Sequence, residues 1–256
     1  MLLNEKVTAY RTLLTKEVLR FLRIWIQTIL PSMIVTALYF VIFGKLLGEK
    51  IGRVEGLTYI EFIVPGLILM TVITNSYSNV VSSFYSAKFQ RNIEEMLVSP
   101  MPNYVILIGF MSGGVARGLI VGLSVLLVSV FFVDIRIFNI TVLISVCILT
   151  SILFSIAGFI NALYAQSFDD ISIIPTFVLT PLTYLGGIFY SASYLPGIWK
   201  DIALFNPILY MVNTFRYGFW GIDVPLLKSY IIVLVIIAGL YLYAISLLRS
   251  GKGLKG

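Results

Sequence analysis

The 256 residues are 59% hydrophobic and only 12% charged, with a mean hydropathy of +1.00. Soluble domains carry roughly 25% charged residues, so this chain cannot cover a water-facing surface. Its net charge of +6 is spread over segments between apolar runs, a pattern that excludes nucleic acid as a partner and points to anionic membrane lipid.

The chain has no histidine, and its single cysteine, Cys147, lies inside an apolar run. An internal disulfide, a Cys- or His-based metal site and an imidazole general base are thereby excluded. No G-x-x-x-x-G-K-[ST] phosphate loop occurs, nor H-E-x-x-H, nor a nucleophile elbow, so the chain carries no visible equipment for hydrolysing ATP or for other catalysis.

Residues 1–23 predict an amphipathic helix. Leu3, Val7, Tyr10, Leu14, Val18, Phe21 and Trp25 recur every three or four positions, with Glu5, Lys16, Arg20 and Arg23 opposite. Such a helix suits the membrane interface, its basic face on anionic headgroups, because no soluble segment is present to pack on it. The uncharged run from Ile24 to Gly44 is too long for the core of a cleaved signal and reads as a retained span.

Apolar length then predicts spans at about 24–43, 58–84, 104–133, 137–165, 171–189 and 229–248, each long enough to cross a bilayer. Pro31 and Pro65-Gly66 are expected to bend the first two, and Gly113-Gly114 the third. Residues 195–220 hold two apolar pieces separated by Asn206-Pro207. Each is too short to cross, so they predict a re-entrant hairpin with a turn at Asn206 and Pro207. Six spans place both termini on one side. That side then holds ten Lys and Arg against seven opposite, which favours cytoplasmic termini, including the basic tail 250–256. The aromatics from Tyr184 to Trp220 form a belt towards the outer face. The expected fold is an all-α integral membrane protein of six transmembrane helices.

Between the second and third spans, 87–99 predicts a short mixed-charge helix stopped by Ser99-Pro100-Met101-Pro102. Phe89, Ile93, Met96 and Leu97 share one face, with Lys88, Arg91, Glu94 and Glu95 over the rest; the segment suits either a partner's groove or a solvated connector. Arg117 lies in the third span, where a cation costs about 2.5–3.5 kcal/mol on the insertion scale. It either meets an anionic substrate group or a partner such as Glu61, or snorkels to the interface from within two to three turns of the cytoplasmic end. Asp169 and Asp170 follow Ser167 at capping-box spacing, which reads as a helix cap or a second partner contact. Arg216 reads as a headgroup anchor.

The segment FQRNIEEMLVSPMP (89–102), with YLPGIW (194–199), FNPILY (205–210), FRYG (215–218) and FDDISIIPTFVLTPLTYLGGIFY (168–190), resembles the ABC type-2 transporter permeases, closest to the YadH-like inner-membrane transport permeases. The resemblance covers nearly the whole chain. It implies six spans, an interfacial first helix, a re-entrant extracellular hairpin before the last span, and a permease homodimer. It further implies two cytoplasmic ATPase subunits that use ATP and Mg. The coupling helix docking on the ATPase would be carried by Phe89, Gln90, Arg91, Asn92, Glu94, Glu95 and Leu97. A bacterial inner-membrane exporter of lipid-linked, polysaccharide or hydrophobic drug-like substrates is the expectation. A proton-coupled secondary transporter, which needs acids at mid-membrane, and a non-transporting scaffold are the rivals.

Overall fold

The computed structural model describes residues 3–251 and Gly253; most of the tail 250–256, including Lys252 and Lys255, lies outside the described residues. The chain begins with α1 (Leu3–Arg23) and continues after a break at Ile24 into α2 (Trp25–Tyr39), which winds on as a π-helical segment, Phe40–Leu46. The polar loop that follows contains α3 (Gly48–Ile51) and a two-stranded antiparallel ribbon, β1 (Arg53–Val54) with β2 (Leu57–Thr58). Glu55 and Gly56 both take positive φ, 50° and 81°, the requirement of a two-residue type I′ turn.

Next comes α4 (Tyr59–Phe89), ~46 Å long at 1.5 Å per residue. It runs on through Pro65, then gives way to α5 (Asn92–Val98), α6 (Asn103–Ser129) and α7 (Ile140–Tyr164). Gly113 and Gly114 do not interrupt α6. Instead, α6 presents two rows of glycine notches. Gly109 and Gly113 receive Leu13 and Glu17 of α1, while Gly114, Gly118 and Gly122 receive Val80, Ser76 and Val72 of α4. Small residues four apart let helix backbones approach closely, which is how helices pack where lipid removes the hydrophobic drive between them. The outcome is a bundle with α4 at its centre, clasped by α6 and α7. Phe84 meets Phe110 and Phe159 with ring centroids 5.2 and 4.2 Å apart.

Among the described residues five helical segments are long and apolar enough to cross a membrane: Trp25–Gly44, Tyr59–Phe89, Asn103–Ser129, Ile140–Tyr164 and Leu226–Ser250. The run expected at 171–189 departs from the others. It forms α8 (Asp170–Ile174), a π-helical turn (Pro175–Leu179) and α9 (Thr180–Tyr184). This continuous helical stretch is ~22 Å long, short of the roughly 30 Å hydrocarbon core. Pro175 and Pro181 each remove a backbone donor, which accounts for the widened turn between them. Residues 195–220 supply α10 (Ile198–Phe205) and α11 (Pro207–Trp220), and α12 (Leu226–Ser250) closes the chain.

In α1 the packed stripe is rotated from the one the sequence suggests. Leu13, Glu17 and Phe21 are buried, whereas Leu3 and Val7 are exposed, because the slots at Gly109 and Gly113 are cut for Leu13 and Glu17.

Candidate functional site

Three constellations use the polar residues, one at each end of α4 and one along its middle. At the C-terminal end, the predicted helix 87–99 is corrected to an elbow. Lys88 and Phe89 belong to the last turn of α4, Gln90 caps it, and Arg91 takes the left-handed conformation (φ 61°) before α5 begins at Asn92. A residue at positive φ cannot continue a helix, so the chain turns there. Ile93 is buried and Met96 and Leu97 are half-buried, which docks α5. Gln90, Arg91, Glu94 and Glu95 remain exposed, together with Phe89 (66%) and Val98 (88%); Asn92 Nδ2 donates to Gln90 Oε1 (3.2 Å).

This elbow is fastened to the end of α7. Lys88 Nζ donates to the carbonyls of Leu163 (2.9 Å) and Ala165 (2.8 Å), satisfying acceptors that a helix C-terminus leaves open. The Phe168 ring lies 5.2 Å from Phe89 and 4.9 Å from Tyr85. Beside it, Asp170 Oδ2 accepts the N–H groups of Gln166 and Ser167 (2.9 and 3.0 Å), and Asp170 N donates to Ser167 Oγ (3.1 Å). These bonds close a reciprocal, capping-box-like turn immediately before α8. They favour the charged carboxylate and hold its pKa below the ordinary value. Asp169 is exposed on the same turn.

A polar stripe runs up α4 through Asn75, Asn79 and Ser83, four residues apart and hence on one face. Glu17 of α1 is fully buried (0%) and accepts from Ser83 Oγ (2.7 Å), with Arg20 Nε 3.5 Å away. Arg20 Nη2 donates to Asn79 Oδ1 (2.8 Å) and Asn79 O (3.0 Å). One turn further along, Asn75 Nδ2 donates to Ser32 Oγ of α2 (3.2 Å) and Asn75 Oδ1 accepts from Arg117 Nε (3.3 Å). Two hydrogen-bonded groups on one face of α4 thus tie it to α1 and, one turn away, to α2 and α6.

Two expectations are corrected here. Arg117 lies about four turns into α6, beyond the two to three turns that snorkelling assumed. Glu61 is not its partner. Glu61 Oε2 accepts from Thr58 N (2.8 Å) and Thr58 Oγ1 (2.6 Å) in a cap at the start of α4, ~21 Å along the helix from Asn75. Glu17, Asn79 and Ser83 escaped the sequence reading. Their signals were present: Glu17 sits midway between Leu13 and Phe21 on an apolar stripe, and amides and hydroxyls repeat every four residues through the second span.

At the N-terminal end of α4, Arg216 of α11 is 2% exposed, which corrects its reading as a headgroup anchor. Its Nε donates to Phe62 O (3.3 Å), Nη2 to Gly187 O (2.9 Å) and Nη1 to Asn213 Oδ1 (2.9 Å), and its guanidinium lies 3.7 Å from the Phe62 ring centroid. Asn206 caps α11 by accepting from Ile208 N (3.0 Å) and donates to Leu182 O (2.6 Å), with Pro207 in the first helical turn. Trp220 Nε1 donates to Glu61 O (3.1 Å). The α10–α11 hairpin is therefore pinned both to α4 and to the segment after α9.

No group of His, Cys, Asp and Glu side chains able to hold a metal ion is present among the described residues. Residues 8–220 match the family described as ABC-2 type transporter. The chain is 52% identical over 248 residues to the inner membrane transport permease YadH of Escherichia coli strain K12, covering 96% of this chain and 97% of the relative. It is also 24% identical over 192 residues to nodulation protein J of Rhizobium leguminosarum bv. viciae, covering 75% and 74%. A predominantly helical bundle with five membrane-length helices and a near-full-length match to a transport permease lead to one conclusion: this chain belongs to the ABC-2 type transporter family.

Proposed function

We propose that the chain is the permease subunit of an ATP-driven exporter in the bacterial inner membrane. It works as a homodimer with two cytoplasmic ATPase subunits that bind the ATP and Mg. Both termini and the α4–α5 elbow face the cytoplasm, α8–α9 supplies a short sixth crossing, and the α10–α11 hairpin re-enters from outside. The cargo is a lipid-linked, polysaccharide or hydrophobic drug-like molecule.

The observation that carries this reading is the fastening of the elbow. An ATPase gripping Phe89, Gln90, Arg91, Glu94, Glu95 and Val98 would push on α5, and α5 is continuous through one turn with the buried α4. Because Lys88 and Phe89 bind the end of α7, that push would also move α7 and the Asp169–Asp170 turn as one unit. The energy source is separate, so the chain alone is inert.

Replacing Glu94 by lysine and Val98 by aspartate together tests the reading. Both side chains are exposed, so the permease should accumulate normally, while recovery of a phosphate-loop ATPase with the affinity-purified permease falls about tenfold, a loss of ~1.4 kcal/mol. Unchanged recovery of such an ATPase would contradict the assignment.

A further inference from the structure

At the end of the bundle remote from the elbow, α6 and α7 part and leave a slot of about 300 Å³ between them. The link joining the two helices is bonded to α11, where Phe138 N and Asn139 N donate to Gly218 O (3.0 and 2.8 Å). Leu143 of α7 takes the space above Gly218. The first turns of α7 thus follow α11, whereas α6 stays on α4 through its glycine notches. The floor of the slot is buried hydrocarbon: Ile68 and Val72 of α4, with Phe215 and Phe219 of α11. Its rim is exposed and equally apolar, with Leu123 on the α6 side and Ile140, Ile144 and Ile148 on the α7 side. Among the described residues lining it, Cys147 carries the only side-chain heteroatom.

Chemistry and size decide what can fill it. Water finds no partner on such walls, and apolar cavities of this kind stay dry. A polar headgroup would lose its hydrogen bonds there. A helix of a second copy is ~10 Å across with its side chains, too thick to enter a slot of this volume. A thin occupant does fit: a cavity of roughly 150 Å³ already holds benzene, and this one is twice as large and runs ~12 Å along α7, from Ile140 to Ile148. Its mouth lies between two membrane-length helices, where acyl chains are the surrounding solvent.

We propose that the slot between α6 and α7 holds one unbranched acyl chain of a membrane lipid, as a resident part of the fold and not as cargo. Lipid and slot are both hydrocarbon, so transfer gains no hydrophobic energy. The gain is dispersion contact with a wall that would otherwise face a void. Shape therefore decides occupancy, and a methyl-branched chain is too wide. The consequence falls on the outer hairpin. Phe215 and Phe219 flank Arg216, which pins α11 to Phe62 O and Gly187 O, so a filled slot braces the face of α11 that carries both rings. Neither the binding nor the bracing depends on an ATPase or on the direction of transport.

The test places the full-length chain in nanodiscs with a trace of phosphatidylcholine whose unbranched acyl chain carries a mid-chain diazirine. The host lipid is either straight-chain dimyristoylphosphatidylcholine or methyl-branched diphytanoylphosphatidylcholine, and adducts are mapped by mass spectrometry after photolysis. Adducts on residues 140–148 should be about tenfold fewer in the straight-chain host, which competes for the slot, than in the branched host, which cannot. Adducts on the exposed Val235 and Leu242 of α12 should differ less than about twofold between the hosts. Ile144→Trp, which closes the rim, should remove the slot adducts in both; if it fails to fold, Leu123→Trp closes the opposite rim. Proteolysis between residues 195 and 225 should be about threefold slower in the straight-chain host for the wild type, and equal in the two hosts for the rim variant. Equal dilution of slot and α12 adducts overturns the site, and so do undiminished slot adducts in a folded rim variant. Selective slot adducts with host-independent proteolysis overturn the bracing.

Discussion

Gly118→Leu should abolish the folded bundle. A Cβ at this position would collide with Ser76 Oγ and lie 3.1 Å from Ser151 Oγ, where α4, α6 and α7 converge. A rotation of Ser76 could admit one methyl group, but an isobutyl group has nowhere to go. Gly114 and Gly122 flank it on the same face, with the space for a Cβ already filled by Ser155, Val80 and Val72. Overpacking typically costs about 1–3 kcal/mol when one neighbour can shift. Here two helices must part along a seam, so the cost lies above that range. The check is yield and monodispersity on size-exclusion chromatography in detergent. Gly239→Leu is the control: nothing lies within 4 Å of a Cβ there, so its effect should stay within about 0.5 kcal/mol.

Arg216→Ala has the second-largest expected effect. The substitution strips donors from Phe62 O, Gly187 O and Asn213 Oδ1 and empties the space over the Phe62 ring. A hydrogen bond made by a charged group contributes about 1.5–3 kcal/mol and three are lost, so a loss of at least ~3 kcal/mol follows. The damage should be local to the α10–α11 hairpin, which this side chain pins to α4. Thermal melting should shift downward, and limited proteolysis should cut first between residues 195 and 225. Arg216→Lys keeps the charge but offers a single point of donation to three separated acceptors, and should recover little of the stability. An unchanged melting curve for Arg216→Ala would mean that the hairpin is held by something else.

The long apolar runs made α2, α4, α6, α7 and α12 legible, because in lipid the length of an uncharged segment is itself the signal. At 171–189 the same signal marked the apolar length but not the local helical geometry. That stretch is uncharged for long enough, yet Pro175 and Pro181 divide its hydrogen bonding and shorten its regular helix. Glycines were harder to read. Gly113-Gly114 suggests a bend in one dimension, whereas in three dimensions each belongs to a different row of notches facing a different helix. The rotated stripe of α1 follows from those notches, which no property of α1 itself could reveal.

Capping was the most readable chemistry. Ser167 and Asp170 stand at the spacing that lets side chain and backbone satisfy each other, and they do so. The elbow was readable in its exposed chemistry but not in its geometry. A left-handed Arg91 carries no sequence mark, since glycine or asparagine is the usual occupant of that conformation. Arg117 was conspicuous as a cation in an apolar run, yet its partner was misassigned. Asn75 is neutral and drew no attention, while Glu61 was visible by charge and was already engaged in capping its own helix.

The central claim is that force reaches this permease from the cytoplasm through the turn joining α4 to α5. Its most direct test places a cysteine at Gln90 in a Cys147→Ser background, so that the label has one target, and treats cells with a membrane-impermeant maleimide. The account predicts no labelling of intact cells and full labelling of inside-out vesicles. Labelling at Gln90→Cys from outside the intact cell would contradict it.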